Sequence, residues 1–166
     1  MSFIKVHVHF VWSTKNRVPY LATREIRETV WNHIRENAKE KGIYIDFING
    51  HKEHCHCLVS LGVDQTIQKV MQLIKGESSF WINKENILCG LSPAELPSAE
   101  LPPALAGGEK FQWKEEYFAV SVSESILDKV RNYIKNQEQH HSKKSFAEEY
   151  EEFITKYGFQ KFYDNV

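Results

Sequence analysis

Hydrophobic and polar residues alternate at the start of the chain, and this pattern predicts a β-strand from Phe3 to Trp12. Further on, the apolar residues recur every four positions instead, at Ile26, Val30 and Ile34, which is typical of an amphipathic helix. The two patterns then follow one another along the chain. They predict strands at 43–48, about 53–61 and 111–122, helices at about 64–82 and about 124–140, and a last, acidic helix at about 148–156.

The order strand, helix, strand, strand, helix, strand, helix predicts an α+β fold. This order is typical of a ferredoxin-like or RRM-like fold, a βαββαβ antiparallel sheet with helices on one face. The last helix in this order, which carries Tyr133, is added at the C-terminal end. We expect the other face to be bare and free to form a site or an oligomer contact. Asn49 and Gly50 predict the turn between the second and third strands.

The chain length suits a single domain over residues 1–166, interrupted by a Pro/Ala-rich insert at about 88–110. Four of the five prolines lie between Pro93 and Pro103, which favours a loop or linker there. The Ala, Glu and Leu residues of the same segment favour a short helical turn on the surface. Both interpretations of the insert stay open at this point.

Composition narrows the possible functions. The 21 basic and 22 acidic residues give a net charge of -1, which excludes a globally basic nucleic-acid-binding protein but not a local basic groove. We find no apolar run long enough to span a bilayer and no signal-peptide pattern after Met1. Three cysteines cannot make a closed disulfide framework, so we expect a reducing, cytoplasmic location.

Two histidine pairs have the spacing of alternate strand residues, His7/His9 and His54/His56. Alternate residues on a strand point to the same side, about 7 Å apart, so each pair presents two imidazoles that suit one metal ion. Cys55 would then face the other way, into the core, as a small hydrophobic residue. Solvated histidines on an exposed sheet face are the simpler alternative, and we expect His7 to be solvated. A zinc site that uses cysteines is another, although strand alternation counts against it.

The predicted helix at about 124–140 carries Tyr133 and Gln137 at positions i and i+4, which share one helix face. Ile126, Val130 and Ile134 form the adjoining stripe that we expect to be buried. Tyr133 and Gln137 therefore lie at the border of the core. A tyrosine in that position is most often a packing residue whose hydroxyl reaches solvent.

Together, a histidine pair on a strand and a later helix with Tyr-x-x-x-Gln resemble the single-tyrosine HUH transposases of bacterial insertion sequences. These are the TnpA-like, IS200-like and REP-associated tyrosine transposases. The resemblance covers nearly all of residues 3–150 and leaves out the insert. The segments that carry it are His9–Arg17, the strand with His54 and His56, Lys75–Asn83, Phe111–Ser121 and Tyr133–His141.

The resemblance implies a metal-dependent enzyme that cleaves and rejoins single-stranded DNA at hairpin-marked ends. Tyr133 would be the nucleophile and would form a 5′-phosphotyrosine intermediate, so no nucleotide cofactor is needed. His54, His56 and Gln137 would hold one divalent ion, Mg²⁺ or Mn²⁺. The resemblance also implies a homodimer that does not act at a membrane and that is associated with the nucleoid when it acts.

Phosphate contacts are harder to predict, because exposed lysines and arginines are common on any protein surface. The candidates for contact with DNA are His9, Lys15, Arg17, Lys75, Lys84 and Lys143. Two other functions compete with the transposase interpretation. One is a non-catalytic single-stranded nucleic-acid-binding module of RRM-like fold, and the other is a zinc-binding protein that uses histidine and cysteine.

Overall fold

The computed structural model describes residues 1–90 and 110–159, so most of the predicted insert lies outside the described residues. Four strands form one antiparallel sheet in the order β2-β3-β1-β4. The strands are β1 (Val6–Ser13), β2 (Tyr44–His51), β3 (His54–Leu61) and β4 (Phe118–Val122). The helices are α1 (Arg24–Glu40), α2 (Ile67–Lys84), α3 (Leu127–Lys135), α4 (Gln137–His141) and α5 (Phe146–Tyr157). The predicted α+β fold is confirmed.

One face of the sheet packs against α1 and α2 and holds the larger hydrophobic core. Alternate residues of the central strands point into it, among them Phe10 and Trp12 from β1 and Cys55 and Cys57 from β3. Burial raises the pKa of the Cys55 thiol well above its usual value, so it stays a neutral, apolar group. The prediction that these cysteines face the core is confirmed.

The second face of the sheet is covered by α3, α4 and α5, so the expectation of a bare face was wrong. Leu58 packs with Leu127 and Ile134, while Val11 packs with Phe146 and Phe153. The apolar stripes of the last helices bury this face in the same chain. None of the described sheet is therefore left open in the way that an RNA-recognition domain needs for base stacking.

Three local predictions also need correction. Asn49 and Gly50 lie within β2, and the turn follows at residues 52–53. Gly50 pairs with Cys55, and a Cβ at Gly50 would lie 2.1 Å from the His54 carbonyl oxygen, so glycine is needed for the strands to approach. The fourth strand is shorter than predicted and begins at Phe118, because Trp113 instead packs in the core, where its Nε1 donates to Ser78.

The predicted helix at 124–140 is divided into a short 3-10 turn, α3 and α4, with the break at Asn136. Its buried stripe contains Leu127 and Ile134, whereas Ile126 is 43% exposed, contrary to prediction. The last helix, α5, has clear local signals: a capping box between Ser145 and Glu148, and Gly158 in the left-handed conformation at its end. Within the described residues, we find no helix that is both long and apolar enough to cross a bilayer.

Candidate active site

β3 places His54 and His56 on the sheet face that the C-terminal helices cover, and neither side chain is exposed to solvent. The Nδ1 of His54 lies 3.1 Å from a carboxylate oxygen of Glu53. The Nδ1 of His56 lies 3.0 Å from Nε2 of His9 on β1. When each Nδ1 donates to its partner, the tautomer is fixed and the lone pair of Nε2 is left free for a metal ion.

A third imidazole, that of His141 at the end of α4, is held in the same way. Its Nδ1 donates to the carbonyl oxygen of Lys144 at 2.9 Å. Its Nε2 lies 3.0 Å from Oε1 of Gln137, which is also 3.3 Å from Nε2 of His54. The structure therefore brings the predicted ligands His54, His56 and Gln137 together and adds His141.

Glu149 completes the cluster from α5. Its carboxylate oxygens lie 3.1 Å from Nε2 of His141, 3.5 Å from Nε2 of His56 and 3.9 Å from Nε2 of His54. The carboxylate is 2% exposed. One donor atom from each of these four residues lies within 4.8 Å of the others. Donors around one ion at ~2.1 Å lie up to about 4.2 Å apart, so small side-chain movements would complete the coordination.

The buried polar atoms of the cluster fit a metal ion. Nε2 of His56 and both carboxylate oxygens of Glu149 have no hydrogen-bond partner among the described residues. A buried polar atom without a partner is costly, and a bound cation would satisfy all three at once. Imidazole nitrogens with one carboxylate suit a transition metal such as Mn²⁺ better than Mg²⁺, which prefers oxygen ligands.

The electrostatics favour neutral imidazoles, which are the form that binds metal. Burial and the neighbouring His56 lower the pKa of His9 to about 3, and burial lowers the pKa of His141 to about 4. The pKa of His56 is lowered well below its usual value, mainly by burial. Burial also raises the pKa of Glu149 to about 7, because no partner among the described residues compensates the carboxylate fully.

Tyr133 stands at the edge of this cluster, half-buried on α3. Its ring lies 5.5 Å from the His56 ring, 6.3 Å from the His9 ring and 5.2 Å from the His140 ring, measured between centroids. The predicted i, i+4 relation with Gln137 holds across the helix break, and Gln137 Nε2 donates to the Tyr133 carbonyl at 3.3 Å. A single chain thus places the tyrosine beside its own imidazoles.

The six residues predicted to contact DNA are spread over different parts of the molecule. His9 is buried against His56, and His7, which we expected to be solvated, is also buried. Arg17 lies over the Tyr150 ring at 4.8 Å, beside the cluster. The remaining candidates are Lys15, bonded to Gln112; Lys75 and Lys84 on α2, beyond the other face of the sheet; and Lys143, exposed just after α4.

Sequence reasoning missed His141 and Glu149. His141 follows Gln137 at i+4, so it shares the face already assigned to metal binding. Glu149 lies on the same α5 stripe as the buried Phe146 and Phe153, at i+3 from the first. A charged residue on an apolar stripe is a signal that could have identified it. The zinc alternative through cysteine was wrong, because Cys55 and Cys57 lie in the opposite layer.

The sequence profile of the IS200-like transposase family matches residues 2–89, which is more than half of the chain and includes both β3 histidines. The chain belongs to the IS200-like transposase family. Membership supports transposase function and, with it, an enzyme that cleaves and recombines DNA. The matched span ends before α3, so it does not include Tyr133.

Two solved structures share the fold of this IS200-like transposase. One is a protein assigned as a transposase from Deinococcus radiodurans R1, with 21% identity, a TM-score of 0.54 and coverage of 82% of this chain and 93% of that one. The other is a REP-associated tyrosine transposase bound to a REP hairpin, with 17% identity, a TM-score of 0.55 and coverage of 85% and 72%. No curated protein matches the sequence significantly.

Proposed function

We propose that this IS200-like transposase cleaves and rejoins single-stranded DNA through a covalent link to Tyr133, with a divalent ion at the histidine cluster. One observation carries the proposal. The Nδ1 atoms of three imidazoles, those of His54, His56 and His141, each have a different hydrogen-bond partner, and their Nε2 atoms converge. The centroid of the Tyr133 ring lies 5.5 Å from that of the His56 ring. Packing alone does not require that arrangement.

The proposed reaction is attack of the Tyr133 phenol on a phosphate of the DNA backbone. The Tyr133 oxygen attacks phosphorus, the new O–P bond forms, and the bond from phosphorus to the 3′ oxygen breaks. The 5′ end is then linked to tyrosine and the 3′ end leaves as a hydroxyl. A free tyrosine phenol is almost entirely protonated at neutral pH, so the Tyr133 proton must leave during attack. The ring of His140 beside Tyr133 offers a nitrogen acceptor, since its Nε2 has no hydrogen-bond partner among the described residues.

The residues that would hold the ion are His54, His56 and His141 with Glu149, and Gln137 offers its amide oxygen to the same centre. A bound divalent ion would polarise the scissile phosphate and offset the charge on the leaving oxygen. The chain's own contribution is to fix the imidazoles through their Nδ1 partners and to exclude water. We propose Mn²⁺ or Mg²⁺ as the ion, with Mn²⁺ the better match to these donors.

Glu149 also decides how a phosphate reaches the site, because both β3 imidazoles are fully buried. A solvent-open pocket between α3 and α5 has Tyr133, His140 and Glu149 among its lining residues. The helix α5 is held to the sheet by Phe146 and Phe153, which pack with Val11. We propose that a rotation of the Glu149 side chain, with α5 left in place, admits the phosphate.

We propose a hairpin in single-stranded DNA as the substrate, supported by the REP hairpin in the structural neighbour. Three basic residues are best placed to contact the DNA backbone. Arg17 lies beside the cluster over the Tyr150 ring, Lys15 follows the end of β1, and Lys143 is exposed just after α4. Lys75 and Lys84 are on α2, so they would reach only DNA that wraps around the molecule. The homodimer stays a prediction, since one chain already brings Tyr133 to its own cluster.

The test is a covalent-adduct assay with a labelled single-stranded hairpin DNA and a series of divalent metals. We expect an adduct that survives denaturation, needs metal, and maps to Tyr133. Tyr133→Phe should abolish it while leaving the fold and DNA binding intact. Tyr44→Phe, at an exposed position on β2, is the matched control and should keep full activity. An adduct that persists in Tyr133→Phe would refute the assignment.

A further inference from the structure

The pocket beside Tyr133 has a volume of about 330 Å³, at the lower end of the ~300–1,000 Å³ range of small-molecule sites. It lies between two helical stripes that face each other. The α3 side is formed by Lys129, Val130 and Tyr133, together with Ile126 at the end of the preceding 3-10 turn. The α5 side is formed by Glu149, Glu152, Phe153, Lys156 and Tyr157. Each set follows the i, i+3, i+4, i+7 spacing of one helix face, so both helices turn a whole face toward the gap.

The chemistry of the walls matches a nucleotide. The Phe153 and Tyr157 rings are nearly parallel, with centroids 5.9 Å apart and an interplanar angle of 21°, and form an aromatic wall. Lys129 on α3 and Lys156 on α5 bring one ammonium group from each helix. Among the described residues, neither lysine forms an ion pair. Of the two carboxylates in the pocket, Glu152 is paired with Lys144 and Glu149 belongs to the cluster.

We propose that this pocket binds one unpaired nucleotide of the DNA strand, next to the phosphate that Tyr133 attacks. The base would lie against the Phe153 and Tyr157 rings, because every base has an apolar face that stacks on aromatic side chains. Lys129 and Lys156 would contact the flanking phosphates. This inference rests on the proposed function for the identity of the strand, and it assigns to the pocket a role that the tyrosine chemistry does not require.

The position of the pocket supports this occupant over a free small molecule. Tyr133 and Glu149 both line the pocket, so a group bound there is next to both the nucleophile and the ion site. A continuous strand that presents its phosphate to Tyr133 must place a neighbouring nucleotide within one residue's reach. The pocket is open to solvent, so the rest of the strand can extend out of it.

Fluorescence anisotropy tests the inference, with metal removed by EDTA so that no cleavage occurs. The probes are a labelled hexathymidylate and a hexamer of abasic deoxyribose phosphates with the same charge. We expect the wild-type chain to bind the hexathymidylate about tenfold more tightly than the abasic probe. Tyr157→Ala, at a position 43% exposed, should remove that preference, with Tyr44→Ala as the control.

Lys129→Gln and Lys156→Gln should each weaken both probes and lower the salt dependence by about one charge. Lys135→Gln, on a different side of α3, is the matched control. Ile126→Trp tests the pocket without removing a contact, since the larger side chain at the exposed rim should block the base. Equal binding of both probes by the wild type, or unchanged preference in Tyr157→Ala and Ile126→Trp, would overturn the inference.

The adduct assay separates this inference from the proposed function. If the wild type shows the base preference but forms no adduct with any metal, the pocket is supported and the tyrosine chemistry fails. If the adduct forms at full rate in Tyr157→Ala and Ile126→Trp, the chemistry is supported and the pocket fails.

Discussion

His9 offers the sharpest test of how the cluster is built, because it touches a proposed ligand without being one. Its Nε2 lies 3.0 Å from Nδ1 of His56, and the His9 side chain is 7% exposed. The low pKa of His9, caused by burial and by His56, keeps this imidazole neutral and able to accept a hydrogen bond. His9→Leu removes the acceptor, so His56 is no longer held with Nε2 toward the ion.

The expected loss can be worked out. Removing a partner of a metal-ligating histidine typically weakens metal affinity about 10- to 100-fold. At metal concentrations well above both dissociation constants, that is a loss of ~1.4–2.7 kcal/mol of metal-derived stability. A chain of this size changes Tm by ~2–4 °C per kcal/mol, so the metal-induced rise in Tm should be smaller by about 3–11 °C.

The assay is thermal unfolding of EDTA-treated protein, followed by titration with Mn²⁺. Each variant is compared with its own metal-free Tm, which separates metal binding from any packing cost of the substitution. His7→Leu is the matched control, since His7 lies on the same strand and face and is 9% exposed. His9→Gln should restore part of the effect, because its amide oxygen can accept from His56.

Two results would refute this reasoning. One is a metal-induced rise in Tm that is as large in His9→Leu as in the wild type. The other is an equal loss in His7→Leu and His9→Leu, which would mean that any substitution on this face disturbs the cluster.

Three further predictions follow from the same geometry. Glu149→Gln should reduce the metal-induced rise in Tm, because a carboxylate ligand becomes a neutral amide, whereas Glu152→Gln, at an exposed position about one turn further along α5, should not. Replacing both Cys55 and Cys57 with Ala should leave the metal-induced rise unchanged, since the thiols face the other layer. Gly50→Ala should lower the free energy of unfolding by ~1–3 kcal/mol or more, because its Cβ would overlap the His54 carbonyl oxygen, as measured by urea unfolding.

Each of these predictions has an outcome that contradicts it. Equal metal responses in Glu149→Gln and Glu152→Gln would remove Glu149 from the ligand set. A loss of the metal response in the double cysteine variant would restore the thiolate alternative. Wild-type stability in Gly50→Ala, with Gly62→Ala as a control at an exposed loop position, would show that the β2–β3 pair tolerates a side chain there.

The sequence correctly predicted which side of a strand or helix a side chain lies on, because periodicity alone decides this. Strand alternation separated His54 and His56 from Cys55 and Cys57, and the structure places the two sets in opposite layers. Helical spacing placed Gln137 with Tyr133, and they stay together despite the break at Asn136.

Prediction failed where long-range docking decides the outcome. The sequence shows that residues 146–157 favour a helix, but not that this helix covers the sheet and brings Glu149 to the histidines. The short form of β4 has a similar cause, since Trp113 packs in the core, donates to Ser78 of α2, and pairs with Thr14 only through an isolated bridge. In both cases, packing between distant segments outweighs the local preference.

The donors of the cluster come from β3, in the first half of the sequence, from α4, and from α5, the last described helix. By thermodynamic linkage, any ion that binds them must also stabilise the packing of α5 against the sheet. Amide hydrogen exchange in α5 should therefore slow when metal is added, while exchange in α1, beyond the other sheet face, should change little. The same coupling means that a DNA phosphate which displaced the Glu149 carboxylate would reduce the stabilisation that a bound ion gives to α5.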